Sequence, residues 1–347
     1  MNDPKEAHYH VHGVDVPETP AAPAKDQEPW GETSVVGKPL PRVDGYERVS
    51  GTAVYPADVS LPRMLYGAIL RCPHPHAVVT SVDSSEAEQM AGVQAVITGF
   101  TPDDRATQQH SELIRNNLFN TRCRYEGETV AAVAAENPYL AQDALRAIRV
   151  EYDVLPFVAD ERRALEPDAP KVHEAGNQVS DTQRYTRGDV EQGFREADVV
   201  LEQEYRCECE IHTPMEPHGC VASWDGDRLT IWESTQGVYN VQTQVAATLG
   251  IPLSKVRVVG HYMGGGFGAK LQASRYTILA ALLAKQTARP VKLTLTREET
   301  YLAVGNRPPS NMRLKAGVKS NGTLTALEFS GTGTGGAARA GGTSSLD

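Results

Sequence analysis

The residue types that could do chemistry in this 347-residue sequence cluster in one loop, Met263-Gly264-Gly265-Gly266-Phe267-Gly268-Ala269-Lys270. Four glycines around one phenylalanine weaken a loop unless backbone must approach something closely, because glycine takes positive φ without a Cβ clash. Successive N–H groups in such a loop form an anion-binding nest, and a helix expected from Ser274 lies just beyond it. The segment is thus suited to donating backbone hydrogen bonds to a negative group. A nucleoside-triphosphate loop does not fit: Ala269 precedes Lys270 where glycine is needed, and Leu271 stands where serine or threonine would hold magnesium. A dinucleotide fingerprint fits on paper as Gly264-x-Gly266-x-x-Ala269. The acidic residue due about 20 positions on is missing, and Arg289 falls there.

Side chains that could bind a metal are poorly placed. The cysteines (Cys72, Cys123, Cys207, Cys209 and Cys220) are odd in number and form no C-x-x-C pair. That speaks against a disulfide framework, a zinc ribbon and an iron–sulfur cage. Cys207 and Cys209 alternate along an expected strand and should pack in a core, the habit of free cysteine. His8, His10 and His12 alternate in a polar tail with no scaffold to orient them. A redox centre is therefore a bound cofactor or belongs to a partner.

The elements that must position the loop follow from periodicity and turn chemistry. Residues 1–36 read as tail and linker, with Pro17–Lys25 extended. Residues 37–157 read as an α+β domain. Its strands are expected at Ala53–Ala57, Met64–Arg71, Val93–Thr98, Glu128–Ala134 and Val150–Leu155, and its helices at Ser84–Met90 and Asn137–Ile148. Residues 158–187 are a connector rich in turn formers. A second block, 188–347, opens with a long strand at Val199–Ile211. A hairpin of Val221–Trp224 and Leu229–Glu233 follows, around Asp225-Gly226-Asp227. Helix Val238–Leu249 stops at Gly250, strand Val256–Tyr262 leads into the glycine loop, and helix Ser274–Thr287 leaves it. Strands Val291–Thr296 and Leu324–Ser330 complete the block. The last strand has no evident partner in the sequence and Gly331–Gly342 is glycine-rich, so an incomplete domain is expected, either finished by another chain or truncated in this sequence.

Acidic residues outnumber basic ones by 44 to 34, and the net charge of −10 argues against nucleic-acid backbones and anionic membrane surfaces. The longest apolar stretch, Ile278–Ala284, is too short to span a bilayer. The opening Met-Asn-Asp-Pro-Lys-Glu lacks the apolar core of a secretory signal. A cytoplasmic location is expected, with export alongside a signal-bearing partner left open.

Ser234-Thr235-Gln236, a helix, Val256-Arg257-Val258-Val259 and then the loop through Lys270 resemble, in that order, the molybdenum-binding subunit of the xanthine dehydrogenase/aldehyde oxidase family. Val43-Asp44-Gly45, Gly51-Thr52-Ala53-Val54-Tyr55, Gly67-Ala68-Ile69-Leu70-Arg71 and Ala91-Gly92-Val93-Gln94-Ala95-Val96 resemble that family's N-terminal hammerhead domain. Tyr125-Glu126-Gly127-Glu128-Thr129-Val130-Ala131 and Pro214-Met215-Glu216-Pro217-His218 match as well. The resemblance implies an α+β hammerhead domain followed by an incomplete α+β molybdenum-binding domain.

It also implies a molybdenum-dependent oxidoreductase whose metal is held by a pterin, taken as molybdopterin cytosine dinucleotide, and not by protein side chains. Electrons would pass to 2Fe-2S and FAD on partner subunits. By position, the Gln236 amide would bond a metal oxygen ligand, Phe267 and Gly268 would aim backbone N–H groups at the oxo group, and Gly265 and Gly266 would allow close approach. Phe267 and Leu271 would line the substrate pocket. Lys270 either neutralises a nearby charge or is an exposed lysine, and Glu216 and His218 support the fold. No catalytic residue is assigned to this chain, because the family's general-base glutamate lies in a C-terminal half that a companion chain would carry. Purine-hydroxylating members have a glutamate where Leu271 stands, so an aldehyde or aromatic N-heterocycle, hydroxylated with water as oxygen source, is the expected substrate. A non-catalytic assembly subunit and a nucleotide-dependent oxidoreductase are the alternatives.

Overall fold

A computed structural model of the chain describes residues 33–99, 118–178 and 181–337. The expected extended segment Pro17–Lys25, the alternating histidines and the last part of the glycine-rich end lie outside the described residues. The chain divides into two units, residues 1–53 and 54–347. In the first, helix α1 (Gly45–Ser50) ends where Gly51 turns left-handed at φ +75°. Asp44 accepts a hydrogen bond from Arg48 at 2.7 Å.

The larger unit begins with β1 (Leu65–Arg71), β2 (Ala77–Asp83), α2 (Ser85–Gln89), β3 (Val93–Thr98), β4 (Arg122–Cys123), β5 (Thr129–Ala135), α3 (Pro138–Ala147) and β6 (Arg149–Val154). It continues with α4 (Val190–Arg195), β7 (Val199–Cys207), β8 (Gly219–Asp225), β9 (Arg228–Glu233), α5 (Val238–Leu249), β10 (Val256–Val259), α6 (Arg275–Thr287), β11 (Val291–Thr294), α7 (Arg297–Leu302), β12 (Ser310–Val318) and β13 (Leu324–Gly333). A seven-stranded sheet has the order β10-β9-β8-β11-β1-β5-β3, and two three-stranded sheets have the orders β13-β12-β7 and β4-β2-β6. The central sheet joins the two sequence blocks: β1 pairs parallel with β11, Leu65 opposite Val291 and Gly67 opposite Leu293.

The core follows from composition. β5, Thr-Val-Ala-Ala-Val-Ala-Ala, is buried at every position between β1 and β3, as a near-continuous apolar run demands. In α6 every residue from Tyr276 to Ala284 is buried, so this helix is apolar on all sides and lies inside the unit against β8 and β11. α3 turns Ala141, Ala144 and Leu145 inward, and its cap Asn137 accepts the Leu140 N–H at 2.9 Å.

Several expectations change. Pro56–Asp58 is a 3-10 turn where a strand was expected at Ala53–Ala57; Pro56 offers no N–H to a ladder. The long strand stops at Cys207, and the strand into the glycine loop stops at Val259, where the chain leaves the sheet. The last strand does have a partner: β13 pairs antiparallel with β12 from Gly333 opposite Ser310 to Leu324 opposite Val318. β12, absent from the expected strands, alternates Asn311, Arg313 and Lys315 with apolar Met312, Leu314 and Ala316, the period of a strand. Cys207 and Cys209 are exposed and do not pack in a core: β7 is open to solvent at every position, and Cys209 lies just beyond its end. Among the described residues no helix is long and apolar enough to cross a membrane.

Candidate functional site

The site is built where two parallel strands end side by side. β10 pairs parallel with β9, Val259 opposite Trp232, so the segments leaving both strands emerge at the same sheet edge. Ser234-Thr235-Gln236 leaves β9, and the glycine loop leaves β10. They interlock through the backbone: the Lys270 carbonyl accepts the Gln236 N–H at 2.7 Å and the Thr235 hydroxyl at 2.9 Å.

The Gln236 side chain completes the clasp. Its Oε1 accepts the Gly268 N–H at 2.9 Å and the Lys270 N–H at 3.3 Å. Both partners are backbone donors, so the amide orientation is fixed with oxygen toward the loop and the Nε2 group facing away. Gly266 makes this possible: a Cβ there would lie 2.5 Å from Gln236 Cδ. Gly265 and Gly268 hold φ at +102° and +97°. Phe267 also sits in the left-handed region, at φ +53°, a strain of about 1–3 kcal/mol for a residue with a Cβ. Its ring is 72% exposed, and Leu271 is 44% exposed. A strained backbone that presents an aromatic ring to solvent is the signature of a ligand-facing residue.

Beneath the loop runs a fully buried strut. Lys270 has 0% side-chain exposure, and its Nζ donates to the Glu216 carbonyl at 2.9 Å, Glu216 Oε2 at 3.0 Å and Ser234 Oγ at 2.7 Å. All three ammonium protons are used. Glu216 Oε2 also accepts the Gly264 N–H at 2.8 Å and the Ser234 hydroxyl at 2.5 Å. One lysine thus ties the 214–218 segment, the end of β9 and both ends of the glycine loop together. Burial lowers the Lys270 pKa, and the Glu216 carboxylate works against that shift. Nearby Glu233 is pushed up to about 8 by burial and accepts the Tyr276 hydroxyl at 2.6 Å. His218, pushed down to about 4 by burial, is neutral, and its Nε2 lies 3.3 Å from the Ala269 carbonyl, so Nε2 carries the proton.

The structure therefore brings Gln236, Gly266 and Gly268 into direct contact, with Gly265, Phe267 and Leu271 beside them. It alters one expected role: the Gly268 N–H is given to Gln236 and is not free to meet a metal oxo group. No hydrogen bond to the Phe267 N–H or from Gln236 Nε2 occurs among the described residues. Lys270 is the buried counter-charge and not an exposed lysine. His212, whose Nε2 would stand 3.9 Å from a Cβ at Gly268, and Tyr276, which donates to Glu233, escaped sequence reasoning because only tertiary contact brings them near the site. The donors left facing outward are N–H groups, which suit oxygen ligands on a metal or another anion. Among the described residues no three His, Cys, Asp or Glu side chains gather as a metal-binding group. The donor set fits a metal carried by an organic ligand.

Comparison with known proteins agrees with this geometry. Residues 50–156 match the aldehyde oxidase and xanthine dehydrogenase a/b hammerhead domain, and residues 172–346 match the molybdopterin cofactor-binding domain. The sequence is 39% identical over 298 residues to a probable xanthine dehydrogenase subunit of Bacillus subtilis, covering 84% of this chain and 39% of that protein. It is 36% identical over 297 residues to the nicotinate dehydrogenase large molybdopterin subunit of Eubacterium barkeri, covering 85% of this chain and 69% of that one. The crystal structure of quinoline 2-oxidoreductase from Pseudomonas putida 86 superposes with a TM-score of 0.76 at 30% identity, over 84% of this chain and 38% of that one. The chain spans about two fifths of the length of the Bacillus and Pseudomonas proteins.

Proposed function

Because the chain belongs to the molybdopterin-binding large subunits of the xanthine dehydrogenase/aldehyde oxidase family, we propose that it is part of the catalytic subunit of a molybdenum hydroxylase acting on an aldehyde or an aromatic N-heterocycle. The observation that carries this reading is the clasp of Gln236 by the Gly268 and Lys270 amides, which leaves the Gln236 Nε2 group as an outward donor of fixed orientation. When bound, the molybdenum–pterin group supplies the oxidising equivalent and activates water as the oxygen source. Gln236 Nε2 and the Phe267 N–H would hold its oxygen ligands by hydrogen bonds, preorganised donors of the kind that stabilise developing negative charge. Phe267 and Leu271 would wall the pocket and exclude water from the reacting carbon. The leucine side chain offers no hydrogen bond to a purine, which favours a less polar ring or an aldehyde; relatives are named for both kinds, nicotinate and quinoline on one side and xanthine on the other.

In this reading the general-base glutamate, the pterin's cytosine nucleotide site and most of the cofactor cradle belong to the part of the subunit that lies outside the matched length. Further partners carry 2Fe-2S and FAD, and the assembled complex is cytoplasmic. A dinucleotide role is disfavoured because two amides of the glycine loop are already spent on Gln236. The test is Gln236→Ala in the assembled complex. Loss of a preorganised donor should lower kcat by about 10²-fold with substrate KM little changed. An unchanged rate would mean that the chain is a non-catalytic assembly subunit.

A further inference from the structure

The sheet β13-β12-β7 has a different chemistry on each side. Register sets Glu202, Lys315 and Glu328 in one row across it, and Glu204, Arg313 and Ser330 in another. On this charged side Arg313 Nε donates to Glu202 Oε1 at 2.6 Å. Helix α4 covers one corner of it: a Cβ at Gly317 would stand 3.2 Å from Phe194 Cδ1, and Lys315 Nζ lies 4.8 Å from the centre of the Phe194 ring. Side chains alternate across a strand, so the rows between face the other way. Leu201, Ala316 and Leu327 form one of these rows, and Gln203, Leu314 and Phe329 the next. Neither row carries a charge. Leu201 and Phe329 are 60% and 61% exposed, and Leu327 and Tyr205 are about half exposed, so this apolar face stands open among the described residues.

A sheet with so clean an alternation has a polar side for water and an apolar side that must be covered. What covers it is a lasting partner. Transient interfaces are no more apolar than ordinary surface, whereas permanent ones resemble a domain core cut in half. All three strands lie within residues 172–346, matched to the molybdopterin cofactor-binding domain, and about three fifths of the Bacillus and Pseudomonas proteins lies outside the match. The relief of the face suits an element that approaches closely: a Cβ at Gly331 would meet Phe329 Cζ at 3.1 Å, so the ring lies over a floor that has no side chain. We propose that this face is the docking surface for the remaining length of the same molybdopterin-binding subunit, which covers it with the apolar side of an amphipathic element. The inference rests on family membership and not on the cofactor or substrate reading.

The test installs the photo-cross-linker p-benzoylphenylalanine in place of Tyr205 or Phe329 in the native assembly, with Glu204 on the charged side as the control position. Products are mapped by mass. The expected result is a link from positions 205 and 329 to subunit sequence outside residues 1–347, and no such link from position 204. Links only to residues within 1–347, to a second copy of this chain, or to an iron–sulfur or flavin subunit would overturn the proposal. Equal linkage from position 204 would do the same. Should the variants not assemble, carbene footprinting of the unmodified assembly decides: Leu201 and Leu327 should escape labelling while Glu202 and Glu328 on the other side are labelled, and equal labelling of both pairs refutes the docking. Gln236→Ala reads the clasp and the cross-link reads the sheet, so either can fail without the other.

Discussion

Replacing Lys270 by methionine removes the ammonium from beneath the glycine loop while keeping most of the volume. The Glu216 carboxylate, 10% exposed, would then retain the Ser234 hydroxyl and the Gly264 N–H but no cation. Breaking a buried pair by deleting one member costs about 3–5 kcal/mol, because the remaining charge keeps its desolvation penalty. The three lost hydrogen bonds, at 2.7, 2.9 and 3.0 Å and roughly 1 kcal/mol each, lead to the same figure by a separate route. The two estimates overlap and do not add. Combining Lys270→Met with Glu216→Gln leaves two neutral side chains and should recover about 2 kcal/mol of the loss. Urea unfolding of wild type, both single variants and the double variant supplies the cycle. The expected outcome is a loss of about 3–5 kcal/mol for Lys270→Met with an unchanged m-value. A loss below about 1 kcal/mol, or a double variant as costly as the two singles summed, refutes the strut.

Two further perturbations probe the same region. Burial holds Glu233 up to about 8 from 4.5, so between those values the folded chain binds a proton that the unfolded chain releases, and stability falls as pH rises by up to about 1.4 kcal/mol per pH unit. His218, held down to about 4 from 6.5, acts in the opposite sense over its own window and offsets that slope below pH 6.5. Denaturant midpoints should therefore stay level to about pH 6.5 and decline toward pH 8, and Glu233→Gln should remove the decline; a decline that survives the substitution has another source. Gly266→Ala places a methyl 2.5 Å from Gln236 Cδ, so the side chain must swing away. It should cost about 1–3 kcal/mol, and the amide protons of Gly268 and Lys270 should exchange faster; unchanged exchange would show that the clasp accommodates a methyl.

Much of the scaffold was legible because its decisive residues act locally. Asp225-Gly226-Asp227 makes a hairpin because Gly226 takes φ +57°, and Gly250 stops α5 at φ +62°. The apolar run of α6 announces a buried helix. What stayed hidden depends on neighbours far along the chain. β12 alternates polar and apolar residues as a strand should, but nothing local says that it pairs with β7 and β13 as the centre of a three-stranded sheet. Val256–Tyr262 keeps strand-like residues beyond Val259, but its partner β9 ends at Glu233 and the ladder ends with it.

The site shows the same division, with a consequence for what the loop does. Read locally, four glycines and a lysine describe a nest whose backbone N–H groups all point at a ligand. In the fold, two of those groups close on Gln236, more than 30 positions earlier, and the lysine turns inward to Glu216. The glycines are there largely to let backbone and glutamine meet: Gly266 admits the carboxamide, and Gly264 admits the Glu216 side chain, whose Cβ would lie 2.6 Å from a methyl at that position. On the proposed reading, recognition would pass from a diffuse nest to two donors, the Gln236 amide and the Phe267 N–H, above a buried ion pair. A nest tolerates any phosphate-sized anion, whereas two donors beside an exposed phenylalanine would favour a group that presents oxygens to both and tolerates an apolar neighbour at Leu271. The loop's selectivity therefore rests on the strut beneath it as much as on its own residues.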